Sequence, residues 1–206
     1  MTKRQYRLGF DIDEVVSMLS PRLLEFLKQE YGIEHSIEVF KTYGLEENTY
    51  VNDPELNRKI SDRMIEVAND PYFQNSTVPV KDAPKTIHKW KHLGHKIYFI
   101  SARRIGCEEH TINWLNSFGI PFDGVYHLGH RLSKGIVCEE LELDFFAEDR
   151  VKYLIQLFEL KNKWDKGLVL FNKPWNINKD ISNYPIRRID TWTELDMHLH
   201  TYGENF

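Results

Sequence analysis

The chain has 206 residues, 41% hydrophobic, 28% charged and 13% aromatic, with only 11 Gly and 8 Pro, which excludes a disordered, collagen-like or low-complexity protein. At about 150 residues per domain, this length suits one sizeable core with an insertion and is thin for two full domains. Lys plus Arg number 27 against 31 Asp plus Glu, a net charge of −4 that argues against a nucleic-acid polymer as partner.

Tyr6–Phe10 is short and apolar-leaning and ends abruptly in Asp11-Ile12-Asp13-Glu14, which predicts a core strand delivering carboxylates at its C-terminal end. Ser20-Pro21 reads as an N-cap with proline at the first helical position, followed by a stripe of Leu23, Leu24, Leu27 and Tyr31 and a stop at Gly32. Asp53-Pro54 opens a second helix with Leu56, Ile60, Met64 and Val67 on one face. The stretch 17–80 therefore reads as helical without a strand. From Asp82 the pattern alternates: a helix to Gly94, a strand 96–100 ending at Ser101, a helix to Gly119, and a weaker strand 124–128. A polar helix 134–142 follows, then a strand 143–147 ending in Glu148-Asp149, a helix 150–161, a strand 168–171, and a last helix begun by the Thr191/Glu194 capping box.

Such alternation predicts an α/β fold, a Rossmann-like doubly wound parallel sheet. The expected core is 1–16 with 81–206, and 17–80 is an inserted helical cap. No apolar run approaches the ~20 residues of a bilayer span, and Asp11 follows only a short apolar stretch, so neither a membrane anchor nor a secretory leader is expected. Cys107 and Cys138 are too few for a disulfide framework and read as buried reduced thiols, consistent with a cytoplasmic location.

Ligands of doubly wound sheets bind beyond the strand C-termini, where Asp11, Asp13, Ser101, Glu148 and Asp149 all fall. Residues two apart on a strand can face the same way, so Asp11 and Asp13 can serve as nucleophile and general acid/base, or both as metal ligands. Glu148 and Asp149 add oxygen ligands suited to magnesium, and no paired Cys or His favours zinc. The plainer alternative for both acid pairs is helix capping. Lys134 would supply the positive charge, and Ser101 with nearby N–H groups the donors, that an anionic substrate requires beside so many acids.

In this order the residues resemble the four motifs of the haloacid dehalogenase superfamily. Leu8-Gly9-Phe10-Asp11-Ile12-Asp13-Glu14-Val15 is similar to the first, Tyr98-Phe99-Ile100-Ser101 to the second, Lys134 to the third, and Phe145-Phe146-Ala147-Glu148-Asp149 to the fourth. The small insertion, the short chain and Phe171-Asn172-Lys173-Pro174-Trp175-Asn176 resemble the 5′-nucleotidase group that includes the 5′(3′)-deoxyribonucleotidases. The resemblance implies a Mg2+-dependent phosphomonoesterase acting on a nucleoside monophosphate through an aspartyl-phosphate. In that scheme Asp11 is the nucleophile and Asp13 the acid/base. Ser101, Ala102 and Lys134 hold the phosphoryl group. Asp11, the Asp13 carbonyl and Asp149 hold the metal, with Glu148 acting through water. Alternatives are a phosphatase for another small metabolite, such as a sugar phosphate, and a non-catalytic ligand-binding homologue.

Other residues carry plainer readings. Glu14 departs from the small residue frequent at its position, and reads either as a solvated turn acid or as part of the cap hinge. Arg103 and Arg104 adjoin the phosphate loop and read as solvated. His127 and His130 read as loop histidines, and Trp90 and Trp114 as core. Trp175 is placed to reach a ligand. Tyr43, Tyr50, Tyr72 and Phe73 read as cap packing.

Overall fold

In the computed structural model, which describes residues 4–129, 132–160 and 167–204, the apolar runs join one six-stranded parallel sheet. Its strands are β1 (Arg7–Phe10), β2 (Lys96–Ser101), β3 (Gly124–His127), β4 (Phe145–Glu148), β5 (Leu168–Phe171) and β6 (Ile186–Ile189), in the order β3-β2-β1-β4-β5-β6. Alternation along the strands sorts the core into two layers. Leu8, Phe10, Phe99, Phe145, Val169 and Phe171 pack against α4 (Ala83–His92), α5 (Glu108–Ser117) and α8 (Trp192–Glu204). Ile100, Phe146, Leu168 and Leu170 pack on the other face against α6 (Lys134–Glu140) and α7 (Val151–Leu160). Trp90 and Trp114 are buried in the first layer, as expected. Gly9 lies opposite Phe10 on the second face, where a Cβ would come within 2.4 Å of Leu143 Cδ1 and 2.7 Å of Phe146, so glycine lets β4 and its approach close on β1.

Residues 17–80 carry α1 (Leu19–Tyr31), α2 (Pro54–Ala68), α3 (Pro71–Asn75) and two short 3-10 turns, with a cluster of Leu23, Leu27, Phe40, Tyr50, Ile60 and Met64. Asp53 caps α2 as expected, accepting the Leu56 N–H at 2.8 Å, but the Leu56 side chain in that first turn is exposed and only Ile60, Met64 and Val67 of the expected face are buried. Gly32 ends α1 in the left-handed region at φ 67°. The ingoing and outgoing chains run antiparallel: Met18 donates to the Val78 carbonyl at 2.9 Å and Val80 to the Val16 carbonyl at 2.7 Å.

Three local readings are corrected. Ser20 is not an N-cap, because α1 begins at Leu19 and Met18 makes no side-chain cap. Glu14 does that work from outside the helix: it takes a left-handed turn at φ 65°, and its buried carboxylate accepts the Ser20 N–H, so it is not a solvated acid. Second, β6 was not anticipated, because Ile186-Arg187-Arg188-Ile189 is a half-exposed edge strand with a charged centre. Third, Cys107 is only partly buried at the start of α5, whereas Cys138 is fully buried; neither is in a disulfide. Among the described residues no helix is long and apolar enough to cross a membrane.

Candidate active site

The sheet order reverses between β1 and β4, and a crevice opens beyond the ends of those two strands. Phe10 is in register with Ala147, and the Asp11 N–H donates to the Ala147 carbonyl at 2.9 Å, so the two acidic strand ends meet across the switch point. Asp11, Glu148 and Asp149 each bring a carboxylate oxygen within 4.8 Å of the others, all three side chains being buried. Lys134 Nζ donates at 2.6 Å to both Asp11 Oδ1 and Glu148 Oε2.

Lys134 is the first residue of α6, where the helix dipole disfavours a cation, so the two carboxylates must hold it there. Ser133 caps that helix, and Gly135 makes room for Leu160, whose Cδ1 would lie 2.1 Å from an added Cβ. Burial alone would depress the Lys134 ammonium, but Asp11 and Glu148 raise it above its ordinary value, so it stays charged. Burial and then the Glu148 charge push the Asp11 carboxyl up to about 7, against the pull of Lys134. Burial and Glu148 likewise raise Asp149 well above the usual carboxylate range. Were all three carboxylates ionised, the one ammonium would leave two negative charges unbalanced, which is why the protonated forms are favoured without a cation. An all-oxygen set with that deficit fits a hard divalent cation, and no Cys or His joins it among the described residues.

Each acid is fixed by its neighbours. Glu148 accepts from Lys134 and, through Oε1, from the Asp149 and Arg150 N–H groups at 3.1 and 3.2 Å. Trp175 Nε1 donates to Asp149 Oδ2 at 2.9 Å, and Asn176 Nδ2 donates to the Asp149 carbonyl at 2.7 Å. The Pro174-Trp175-Asn176 loop therefore braces Asp149. It is itself held by Arg188 of β6, which donates to the Asn176 carbonyl at 3.0 Å and the Lys179 carbonyl at 2.6 Å. Its other terminal nitrogen, Nη1, donates to the side-chain oxygens of Asn172 at 2.8 Å and Asn176 at 3.3 Å, and nothing in the local sequence around Arg188 signals these partners, which lie 9 to 16 residues away.

Asp13 does not join the acidic trio. Its carboxylate turns to Arg103, which donates from Nε at 3.0 Å and from Nη2 at 2.7 Å. Arg103 is therefore not solvated: its side chain is only 2% exposed. Ser101, buried at the end of β2, accepts the Arg103 N–H at 3.2 Å. Ser101, Ala102 and Lys134 line one cavity of about 830 Å³ with Asp11, Asp13 and Asp149, and Leu19, Leu23, Phe40 and Tyr43 of the insertion form its other wall. Trp175 lines it as well, and the Arg150 guanidinium carbon lies 3.4 Å from the centre of the Tyr43 ring. Of the other insertion aromatics, Tyr50 and Phe73 pack within the insertion and Tyr72 is exposed beside His110. His127 is buried at the end of β3, and His130 lies outside the described residues.

A model of the 5′ nucleotidase, deoxy (Pyrimidine), cytosolic type C protein family matches residues 4–201. The chain belongs to this family. A Bacillus cereus protein named "Putative nucleotidase" is 25% identical over 194 residues, covering 92% of this chain and 95% of the relative. A similarly named Oceanobacillus iheyensis protein is 25% identical over 178 residues, covering 84% and 90%. Among solved structures, a HAD family hydrolase from Deinococcus radiodurans superposes with a TM-score of 0.61 at 13% identity, covering 97% of this chain and 96% of that one. A "predicted phosphatase" from Clostridium acetobutylicum superposes with a TM-score of 0.63 at 14% identity, covering 96% and 100%. The fold is that of the haloacid dehalogenase-like hydrolases, and the nucleotidase family makes the chain a hydrolase of phosphoric monoesters.

Proposed function

We propose that the chain is a magnesium-dependent nucleotidase that cleaves nucleoside monophosphates by in-line transfer of the phosphoryl group to Asp11. The observation that carries this reading is the buried Asp11–Glu148–Asp149 trio with Lys134, set at the sheet's switch point and at the base of a cavity large enough for a small organic phosphate. The Deinococcus radiodurans relative in fold is described with bound phosphate and sodium, a pairing of anion and cation that suits the same arrangement.

Asp11, the main-chain carbonyl of Asp13 and Asp149 would hold the magnesium ion. Glu148 already accepts from Lys134 and two N–H groups, which suits a contact through water. When bound, the ion supplies charge neutralisation at the transferring phosphoryl oxygens. Ser101, the Ala102 N–H and Lys134 share that task, since phosphoryl transfer depends chiefly on positioning and charge. Asp11 attacks phosphorus. Asp13 gives its proton to the departing ribose oxygen, and the resulting carboxylate later takes one from the water that attacks the aspartyl-phosphate. Lys134 also keeps Asp11 turned toward the cavity. Residues 17–80 serve as a cap that covers the substrate, with Leu19, Leu23, Phe40 and Tyr43 facing the part remote from the phosphate.

A panel of phosphate esters assayed with magnesium tests this. Nucleoside monophosphates are expected to exceed sugar phosphates in kcat/KM by about tenfold or more, the scale of one or two pocket contacts. A preference for sugar phosphates would overturn the nucleotidase assignment, and no turnover of any ester would overturn the enzymatic one.

A further inference from the structure

We propose that Arg103 is a positioning residue for Asp13, locking its carboxylate through a buried scaffold completed by Thr111 and His127. The inference rests on the proton-transfer role given to Asp13 above. Asp13 lies on the turn after β1, where an aspartate side chain would ordinarily sample several rotamers. Instead both of its oxygens are held by one planar fork, Nε to Oδ2 at 3.0 Å and Nη2 to Oδ1 at 2.7 Å. The remaining Nη1 donates to Thr111 Oγ1 at 2.9 Å. The Arg103 side chain is 2% exposed, whereas that of Asp13 is 19% exposed at the cavity. Arg103 borders the cavity as well, but its guanidinium is almost fully buried and its hydrogen bonds go to Asp13 and Thr111, which suits a group that acts through Asp13.

The fork is fixed in turn. Thr111 Oγ1 lies 3.0 Å from His127 Nε2, and His127 Nδ1 lies 3.0 Å from the Arg104 carbonyl. A carbonyl only accepts, so Nδ1 carries the proton and Nε2 accepts from the Thr111 hydroxyl. Thr111 can then accept from Arg103 and donate to His127 at once. Burial lowers the His127 pKa and favours the neutral ring that this pattern needs. The bonds run in one direction, from Arg103 to Thr111 to His127 to the Arg104 carbonyl, and tie β3, α5 and the turn after β2 to one carboxylate. A buried arginine is costly unless its partners hold it well. Here the partner facing the cavity is the proton-transfer group. The scaffold leaves Asp13 one orientation, which is what a proton donor within reach of a leaving oxygen requires.

The test is single-turnover release of the leaving group from two esters, which isolates phosphoryl transfer from the later water step. An alkyl monophosphate needs a proton on its leaving oxygen; p-nitrophenyl phosphate does not. Asp13→Asn serves as the reference and is expected to lose at least about 100-fold on the alkyl ester and far less on the aryl one. Arg103→Lys keeps the charge without the fork. It is expected to lose about 10- to 100-fold on the alkyl ester and less than about threefold on the aryl ester, with little change in KM. Thr111→Val should show the same selectivity more weakly and carries the comparison if Arg103→Lys does not fold. Equal loss on both esters, or no loss, in the Arg103 and Thr111 variants beside a selective Asp13→Asn would overturn the inference. An unselective Asp13→Asn would instead overturn the role given to Asp13.

Discussion

An Asp11→Asn variant is expected to fold and to lose turnover by a factor on the order of 10³ or more, the scale of removing a nucleophile. The substitution keeps the side chain's size in a buried corner between Lys134 and the acid pair, at the edge of the cavity. It also removes a charge that burial and Glu148 oppose, which is why the Asp11 carboxyl sits near 7 without a cation. The sign of the pH effect follows. A carboxyl whose folded pKa is raised binds its proton more tightly in the native state, so its contribution is fully present below the unfolded value of about 3.9 and is lost as pH rises through about 7. Without divalent cations, the wild-type protein should therefore lose more stability between pH 5 and pH 8 than Asp11→Asn, as read by thermal unfolding. Near-normal turnover in the variant would exclude the aspartyl-phosphate route.

Magnesium is expected to control both activity and stability through the same trio. Chelation should stop turnover. Saturating magnesium should raise the melting temperature at pH 8, by the equivalent of about 2.7 kcal/mol at a hundredfold excess over Kd, which is roughly 5–10 °C in a chain of this size. The rise should shrink toward pH 5, because Asp11 and Asp149 must lose their protons to bind the ion and both are raised. Asp149→Asn should abolish most of the rise. A rate unaffected by chelator, or a melting shift that survives Asp149→Asn, would contradict the cation site.

The acidic strand ends were legible because apolar runs stopping at Asp11 and at Glu148-Asp149 mark where parallel strands deliver side chains to one edge. Lys134 was legible only through its place in the series, since a lysine opening a helix looks solvated until the fold sets it against Asp11 and Glu148, 123 and 14 residues away. Arg103 was misread for the same reason: its partner, Asp13, is 90 residues away and nothing local distinguishes it from the exposed Arg104 beside it. Arg188 and β6 were hidden by their edge position, where pairing relies on the backbone and the side chains show little alternation. Glu14 escaped because capping patterns look within a helix's own start, whereas this carboxylate reaches α1 from a left-handed turn six residues upstream of Ser20. Local patterns thus located the strand ends; the partners that orient the side chains there came from long-range packing.

The most direct measurement is to quench the enzyme during turnover of a nucleoside monophosphate, reduce it with borohydride, and sequence the peptides by mass spectrometry. An acyl phosphate on aspartate is reduced to homoserine. Homoserine at position 11, dependent on substrate and magnesium, is the expected result. Homoserine at position 13 or at another aspartate, or none at all while phosphate is being released, would contradict Asp11 as the nucleophile.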